Sequence, residues 1–259
     1  MTELAFNDPC ILFAMRRESR SFLEEFRPQQ RFPGAPCRAR FCGPAWLTVL
    51  VLETGIGQAA TKAAMDWLTG KPVLGNVPYQ PRLVLSAGFA GALQEDRQVG
   101  DVVLATELAD QHGRTWRTTW PGELPSGEWR PPLHRGRVLT VDRLAGEPEA
   151  KRNLGTEFQA MAVDMESATV ADACSRQGIS FGCVRALSED VHTFLSPKLV
   201  SLLSGSQVSP LRVAGTLLRS PGLTRDLLRL RRQARLAAAQ LGKALGELLT
   251  LTLPFGAEL

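Results

Sequence analysis

The chain has 259 residues and a formal net charge of +4, so it is long enough for one large α/β domain or two small ones. Its composition of 44% hydrophobic, 22% charged and 7% aromatic residues is globular and excludes a disordered tail, a collagen and a coiled coil. The five cysteines lack the spacing of a disulfide framework or a zinc site, so we expect no metal or cofactor. We see no signal peptide and no apolar run of about 20 residues, which predicts a soluble cytoplasmic protein.

The first half of the chain alternates apolar strands with glycine turns and a helix. The turn Gly55-Ile56-Gly57 is followed by an alanine-rich stretch at 58–68, which predicts a helix packed closely on a sheet. A second glycine-rich turn is expected at 86–92, after a short strand. The predicted strands of this half are 8–15, 46–52, 83–85 and 99–104. Strands separated by helices in this way indicate a mostly parallel or mixed sheet covered on both faces.

The second half begins with a segment at 110–132 that is rich in Gly, Pro, Thr, Trp and Arg and predicts a long loop. Its tryptophans either pack the loop down or line a lid over a pocket; they are Trp116, Trp120 and Trp129. Beyond the loop, we expect strands at 138–141 and 181–187, with a helix at 164–177 that ends at Gly178.

The carboxyl-terminal part of the chain is basic. From 212 to 235 there are seven arginines and a single acid, Asp226. We expect one helix to start at Ser209-Pro210, a break at Pro221-Gly222 and a second helix capped by Thr224. This amphipathic pair either buries its leucines and leaves a solvated basic face, or docks on an anionic or lipidic surface.

Carboxylates recur just after the predicted strands, where ligands gather in open α/β sheets. They are Glu18, Asp164, Glu166, Glu189 and Asp190. Carboxylates without metal-ligating histidines suit proton transfer, water activation and the binding of vicinal hydroxyls, as sugar chemistry requires. Each acid alone is weak support, because a carboxylate at a strand end is more often a cap or a surface charge. The glycine turns match neither a dinucleotide fingerprint nor a P-loop.

Taken together and in order, these segments resemble the nucleoside phosphorylase and nucleosidase superfamily. The segments that carry the resemblance are AMRRE (14–18), ETGIGQAATKAA (53–64), SAGFAGAL with VGDVVLA (86–105), AVDMESATVA (162–171) and FGCVRALSED (181–190). The resemblance implies a three-layer α/β/α sandwich around a twisted mixed β-sheet, with residues 1–200 as the catalytic domain. Residues 201–259 would then be a basic helical extension packed on that domain. It also implies a homo-oligomer that cleaves the N-glycosidic bond of a nucleoside.

The resemblance assigns roles to individual residues. Glu166 falls at the glutamate that binds the ribose hydroxyls, with Met165 under the sugar, and Glu18 falls at the residue that positions the attacking water. Glu189 falls at the position of the acid that protonates the purine N7, and the neighbouring Asp190 is the alternative proton donor. Further substrate-binding positions are Asp164, Gly88, Phe89, Ser188 and Leu144.

Two reactions remain open for such a site. Ser86 and Phe89 stand where phosphorylases of this type keep an arginine and a hydroxyl for phosphate, which favours hydrolysis. The cluster Arg16, Arg17 and Arg20 keeps phosphorolysis open as a different anion site.

The departures from the family pattern bear on the substrate. Phe89 replaces a small residue, Leu144 stands near where an aromatic often stacks on the base, and Glu189 replaces an aspartate. With the basic tail, the chain more closely resembles the hopanoid-associated branch, which implies an adenine nucleoside with a bulky, lipidic 5′ substituent and peripheral membrane contact. The alternatives are a non-catalytic nucleoside-binding protein and a nucleic-acid binder, the latter resting only on the arginines and disfavoured by the acids.

Overall fold

The computed structural model describes residues 8–44, 47–119, 131–195 and 221–252. The helices in these ranges are α1 (Arg16–Glu25), α2 (Gln58–Thr69), α3 (Pro148–Phe158), α4 (Ser167–Gln177) and α5 (Pro221–Thr252). The strands are β1 (Cys10–Phe13), β2 (Pro28–Phe32), β3 (Arg38–Cys42), β4 (Val49–Glu53), β5 (Val73–Leu74), β6 (Val77–Pro78), β7 (Leu83–Ala92), β8 (Val102–Asp110), β9 (Thr115–Arg117), β10 (Leu133–Thr140), β11 (Ala162–Asp164) and β12 (Ser180–Glu189).

A large mixed sheet forms the centre of the described structure. Its strand order is β11-β10-β8-β12-β7-β1-β4-β3-β2, and β9 pairs with β8. Neighbours among β12, β7, β1 and β4 are parallel, so the carboxyl ends of these strands meet at one edge. β11 pairs with both β10 and the end of β7, so that β7, β12, β8, β10 and β11 close into a ring.

Helices cover both faces of this sheet. Val84 of β7 packs in the cluster that holds α2 and α4, whereas Leu83 and Leu85 point the other way, towards α1 and α5. A smaller cluster beneath α3 lies on the same side as α1 and α5, because it takes Leu139 rather than Val138 from β10. The predicted three-layer α/β/α fold around a mixed sheet is confirmed.

The predicted glycine turn at 86–92 is wrong, because β7 continues through this segment to Ala92. The strand is held by β1 and β12 on its two sides and by β11 at its end. Glycine is needed here for close approach, not for a turn. A Cβ on Gly88 would lie 2.9 Å from Oε1 of Glu18, and one on Gly91 would lie 2.6 Å from Oε1 of Glu189.

Two other boundaries also differ from the prediction. The helix expected at 164–177 begins only at Ser167, because Asp164 pairs with Thr140 as the last residue of β11 and Glu166 is the N-cap. The loop expected at 110–132 contains β9, in which Trp116 pairs with Leu108 and packs against the core. The remaining two tryptophans of that segment lie outside the described residues.

The described part of the basic tail is one long helix, and the chain before Pro221, which bears on the predicted break at Pro221-Gly222, lies outside the described residues. α5 starts at Pro221, where proline is compatible with the first turn, and Thr224 lies inside the helix instead of capping it. The helix predicted to start at Ser209-Pro210 lies outside the described residues.

The second half of α5 packs against α1 and the sheet. Its buried leucines recur at helical spacing and are Leu241, Leu245, Leu248 and Leu249; each contributes about 1.5–3 kcal/mol of burial. Gly242 permits close contact with α1, since a Cβ there would lie 2.8 Å from the backbone nitrogen of Phe22. No helix in the described ranges has the length and apolar character to cross a membrane.

Candidate active site

Glu18 is a buried carboxylate in the first turn of α1, directly after β1. Its Oε2 accepts the backbone N–H of Met15 at 2.7 Å, as in the second half of a capping box, and its Oε1 accepts the N–H of Phe89 at 2.9 Å. Burial raises the pKa of Glu18, while these N–H donors and the Arg185 guanidinium oppose the rise. The bare backbone at Gly88 leaves the room that this carboxylate occupies.

Glu166 approaches the same place from the N-cap of α4. Its Oε1 accepts the N–H of Gly57 at 2.7 Å, in the turn that follows β4. Gly57 has a φ of 90°, a conformation that favours glycine. Burial raises the pKa of Glu166 to about 7, and the negative charges of Asp164 and Glu18 add to that rise.

Arg185 of β12 is the cation between these carboxylates, and it is 2% exposed. Its Nε donates to Oδ2 of Asp164 at 2.6 Å, and its Nη2 donates to the hydroxyls of Ser86 at 2.6 Å and Ser167 at 2.8 Å. Asp164 also accepts the hydroxyl of Thr140 at 2.7 Å. The Arg185 charge is therefore already neutralised within the protein.

A narrow cavity lies between these groups. The polar residues that line it are Glu18, Thr54, Thr61, Ser86, Glu166 and Arg185, and the apolar ones include Leu12, Phe13 and Val170. The enclosed space is about 10 Å³, which is the room that one water molecule needs. In the described parts of the chain, no cluster of three or more His, Cys, Asp or Glu side chains has the arrangement to hold a metal ion.

A larger groove of about 540 Å³ lies elsewhere, between α2, α4 and the turn from β8 to β9. Its charged side chains are largely paired with each other, as in Lys62 with Asp66 and Arg114 with Asp110. It contains neither Glu18 nor Glu166. The smaller cavity, where the Glu18 and Glu166 carboxylates converge, is therefore the candidate site.

The structure brings together several of the residues predicted for the substrate site. Gly88, Phe89, Glu18 and Glu166 line the cavity, and Asp164 anchors Arg185 behind it. The Phe89 ring packs against the cluster formed with α1 and α5.

The other predicted residues lie apart from this cavity in the described structure. The carboxylate of Glu189 pairs with Nζ of Lys151 at 3.2 Å, and Asp190 accepts the hydroxyl of Thr193 at 2.7 Å. The hydroxyl of Ser188 faces the carbonyl of Ala90. Met165 and Leu144 are half-buried, whereas Arg16, Arg17 and Arg20 are exposed on α1. None of these residues is among the described residues that line the cavity.

Sequence reasoning did not assign roles to Arg185 and Lys151. Both are charged residues with almost no exposure, at 2% and 0% respectively. The signal for Arg185 was a lone charge inside the apolar run at 181–187, because a charge buried in a strand requires a partner. Lys151 carries no such signal, because it lies in an ordinary polar helix.

Comparison with known proteins shows the family of this chain. A sequence model of the phosphorylase superfamily matches residues 11–198. The chain is 25% identical over 203 residues to the 5′-methylthioadenosine/S-adenosylhomocysteine nucleosidase of Bacillus thuringiensis subsp. konkukian, covering 69% of this chain and 84% of that relative.

Solved structures show the same fold. A mutant Helicobacter pylori nucleosidase with 5′-methylthioadenosine in its active site has a TM-score of 0.67 at 19% identity, covering 94% of this chain and 98% of that one. Futalosine hydrolase of the same organism has a TM-score of 0.66 at 18% identity, with coverages of 94% and 97%. Because the superfamily model matches well over half of the residues, this chain belongs to the phosphorylase superfamily.

Proposed function

We propose that this protein hydrolyses the N-glycosidic bond of a purine nucleoside. The observation that carries the proposal is the convergence of two carboxylates, the buried Glu18 and the half-buried Glu166, on one narrow cavity whose guanidinium is already paired. The nucleosidase and hydrolase names of the relatives support the same reaction class.

The chemistry follows from where charge develops. When the bond between C1′ and the base nitrogen breaks, its electrons leave with the base and the ribose becomes positively charged. Glu166 would accept hydrogen bonds from the ribose hydroxyls, and these bonds strengthen as the sugar becomes cationic. Glu18 would orient a water molecule and take its proton as the oxygen attacks C1′.

The departing base needs a proton, since a neutral purine leaves more easily than an anion. Glu189 and Asp190, at the end of β12, are the proposed donors. Burial raises the pKa of Glu189, which favours its protonated form, and the Lys151 ammonium opposes this.

Charge placement supports hydrolysis over phosphorolysis. A phosphate would require an uncompensated cation at the cavity, but Arg185 is committed to Asp164 and two hydroxyls. Arg16 and Arg17 are exposed on the outside of α1, and Arg20 pairs with Glu24 on its surface.

We further propose an adenine nucleoside with a large 5′ substituent as the substrate. The support is the names of the relatives, which refer to 5′-methylthioadenosine and S-adenosylhomocysteine, and the resemblance of the chain to the hopanoid-associated branch.

The reaction is tested by measuring base release from adenosine, inosine, 5′-methylthioadenosine, S-adenosylhomocysteine and a 5′-alkylated adenosine, each with and without phosphate. We expect release of base and free sugar at the same rate in both conditions, and its loss in Glu18→Ala with the Arg20→Ala protein as an unaffected control. Release only with phosphate would identify a phosphorylase. Binding of a nucleoside without release would identify a binding protein and contradict the proposal.

We also propose that α5 contacts an anionic membrane surface. In its first half, Leu228 and Leu236 are 60% and 44% exposed and share one side of the helix with exposed arginines. Those arginines are Arg229, Arg231, Arg232 and Arg235. Each basic residue near such a surface contributes about 1 kcal/mol, and exposed leucines add hydrophobic contact.

Flotation with phosphatidylglycerol vesicles measures this contact. The protein is expected to float with these vesicles at low salt and to dissociate from them at high salt. It is expected not to bind phosphatidylcholine vesicles. Arg231→Glu with Arg232→Glu should abolish flotation, whereas Lys62→Glu on α2 should not. Flotation that survives the double charge reversal would refute a role for α5.

A further inference from the structure

Lys151 of α3 is fully buried, and the polar contacts of its Nζ within the described structure lie at the end of β12 and in the turn after it. Its Nζ is 3.2 Å from Oε1 of Glu189 and donates to the carbonyl oxygens of Asp190 at 3.2 Å and Thr193 at 3.1 Å. An ammonium group has three N–H donors, and each of them has one of these three oxygens as a partner. Burying an unpaired ammonium group costs several kcal/mol of folding free energy. The three oxygens therefore stabilise the buried lysine, and the lysine in turn fixes their positions.

The segment that Lys151 holds contains both proposed donors of the leaving-group proton. The Thr193 hydroxyl donates to Oδ1 of Asp190 at 2.7 Å, so the turn after β12 is closed on itself as well as on α3. The N–H of Leu195 donates to the carbonyl of Gly146, just before α3, and ties down the far end of the segment. Lys151 is thus the buried centre of the contacts that hold this turn.

Glu189 has little freedom within this arrangement. Its cross-strand neighbour is Gly91, and the carboxylate occupies the place where a side chain at Gly91 would lie. The charged groups that act on it are Lys151 of α3, Asp190 beside it and Arg229 of α5. Of these, only Lys151 is in direct contact.

We propose that Lys151 is a positioning residue for the reaction, which fixes Glu189 and the turn that follows it so that the leaving base receives its proton. The inference rests on the proposed function. A displacement of about 1 Å in a reacting group lowers a rate by about 100-fold, so a loosened turn is expected to affect turnover far more than binding.

The test compares Lys151→Met with the wild-type protein on the best nucleoside. We expect kcat to fall by about 10- to 100-fold, while KM changes by less than about threefold. The alkaline limb of the kcat profile should move to higher pH, because an acid that has lost its neighbouring cation holds its proton more tightly. Lys62→Met removes an exposed lysine of α2 that pairs with Asp66, and it should leave both parameters unchanged.

A double-mutant cycle distinguishes the loss of the contact between Lys151 and Glu189 from a general folding defect of the Lys151→Met variant. Lys151→Met combined with Glu189→Gln removes both charges and is expected to fold, and in this background the loss of Lys151 should cost less than about threefold. If the two substitutions lower kcat independently, so that their effects multiply in the double variant, the inference is overturned while the proposed function stands. An unchanged pH profile in Lys151→Met would have the same meaning. A wild-type protein that releases no base from any nucleoside would contradict the proposed function itself, and the inference with it.

Discussion

Replacing Glu166 with glutamine is expected to lower kcat/KM for base release by about two to four orders of magnitude. Hydrogen bonds to the sugar hydroxyls that strengthen in the transition state contribute several kcal/mol. Glutamine keeps the shape and the acceptor for the N–H of Gly57, but it removes the negative charge that stabilises the cationic ribose. The measurement is steady-state kinetics of adenine release, with Glu157→Gln on the surface of α3 as the matched control.

The stability of the same variant shows whether the fold survives. The pKa of Glu166 is raised to about 7, so between the unfolded value near 4.5 and 7 the folded state binds more protons than the unfolded state. The wild-type protein should therefore lose stability as the pH rises through this range, by up to about 3 kcal/mol. Glu166→Gln should not show this loss, so the variant should be more stable than the wild type at pH 8.

Denaturant unfolding at pH 4.5, 6 and 8 gives these stabilities directly. A variant with wild-type turnover would refute the role of Glu166 in binding the ribose. A variant that is inactive and also unfolded at pH 8 would refute the assignment of its raised pKa.

The fold class is predictable from the sequence for a simple physical reason, because alternating strands and helices favour a sheet covered on both faces. The parallel pairing of β1 with β7 also explains why Glu18, just after β1, lies beside Phe89. Glu166 follows β11, which runs antiparallel to β7, so its meeting with Glu18 depends on the long-range pairing of β11 with β7 and not on a shared carboxyl edge. The apolar runs and the glycine positions are local signals, and α2 starts at Gln58 as predicted.

What the sequence does not reveal is set by pairing between distant segments. The glycines of 86–92 suggest a turn, because the close approach of Glu18 and Glu189 to that backbone appears only in three dimensions. A strand ladder on both sides then overrides the local preference of glycine for turns.

The buried charges follow the same logic. Lys151 in α3 reads as a solvated lysine, and only the fold places it against the oxygens at 189–193. Asp164 reads as the start of a helix, and only its ladder with Thr140 extends β11 to include it. Long-range ion pairs leave no periodic signal, so the sequence identifies the acids at this site but not the cations that hold them.

Replacing Arg185 with methionine is expected to lower the free energy of unfolding by about 3–5 kcal/mol, because it leaves Asp164 buried without its cation. The two groups are 2.6 Å apart and almost completely buried, so water cannot replace the missing partner. Urea unfolding at pH 7 measures the change. Arg176→Met provides the matched control, since its pair with Asp172 on the surface of α4 is exposed and should contribute less than about 1 kcal/mol.

A second variant separates the lost charge from the lost volume. Arg185→Met combined with Asp164→Asn removes both charges, so much of the stability should return, whereas a packing defect would persist. Activity should remain low in both variants, because Ser86, Ser167 and the carboxylates around the cavity lose the group that orders them. If Arg185→Met is no less stable than Arg176→Met, the buried pair does not hold the site together, and the claim that its charge is unavailable to a phosphate loses its support.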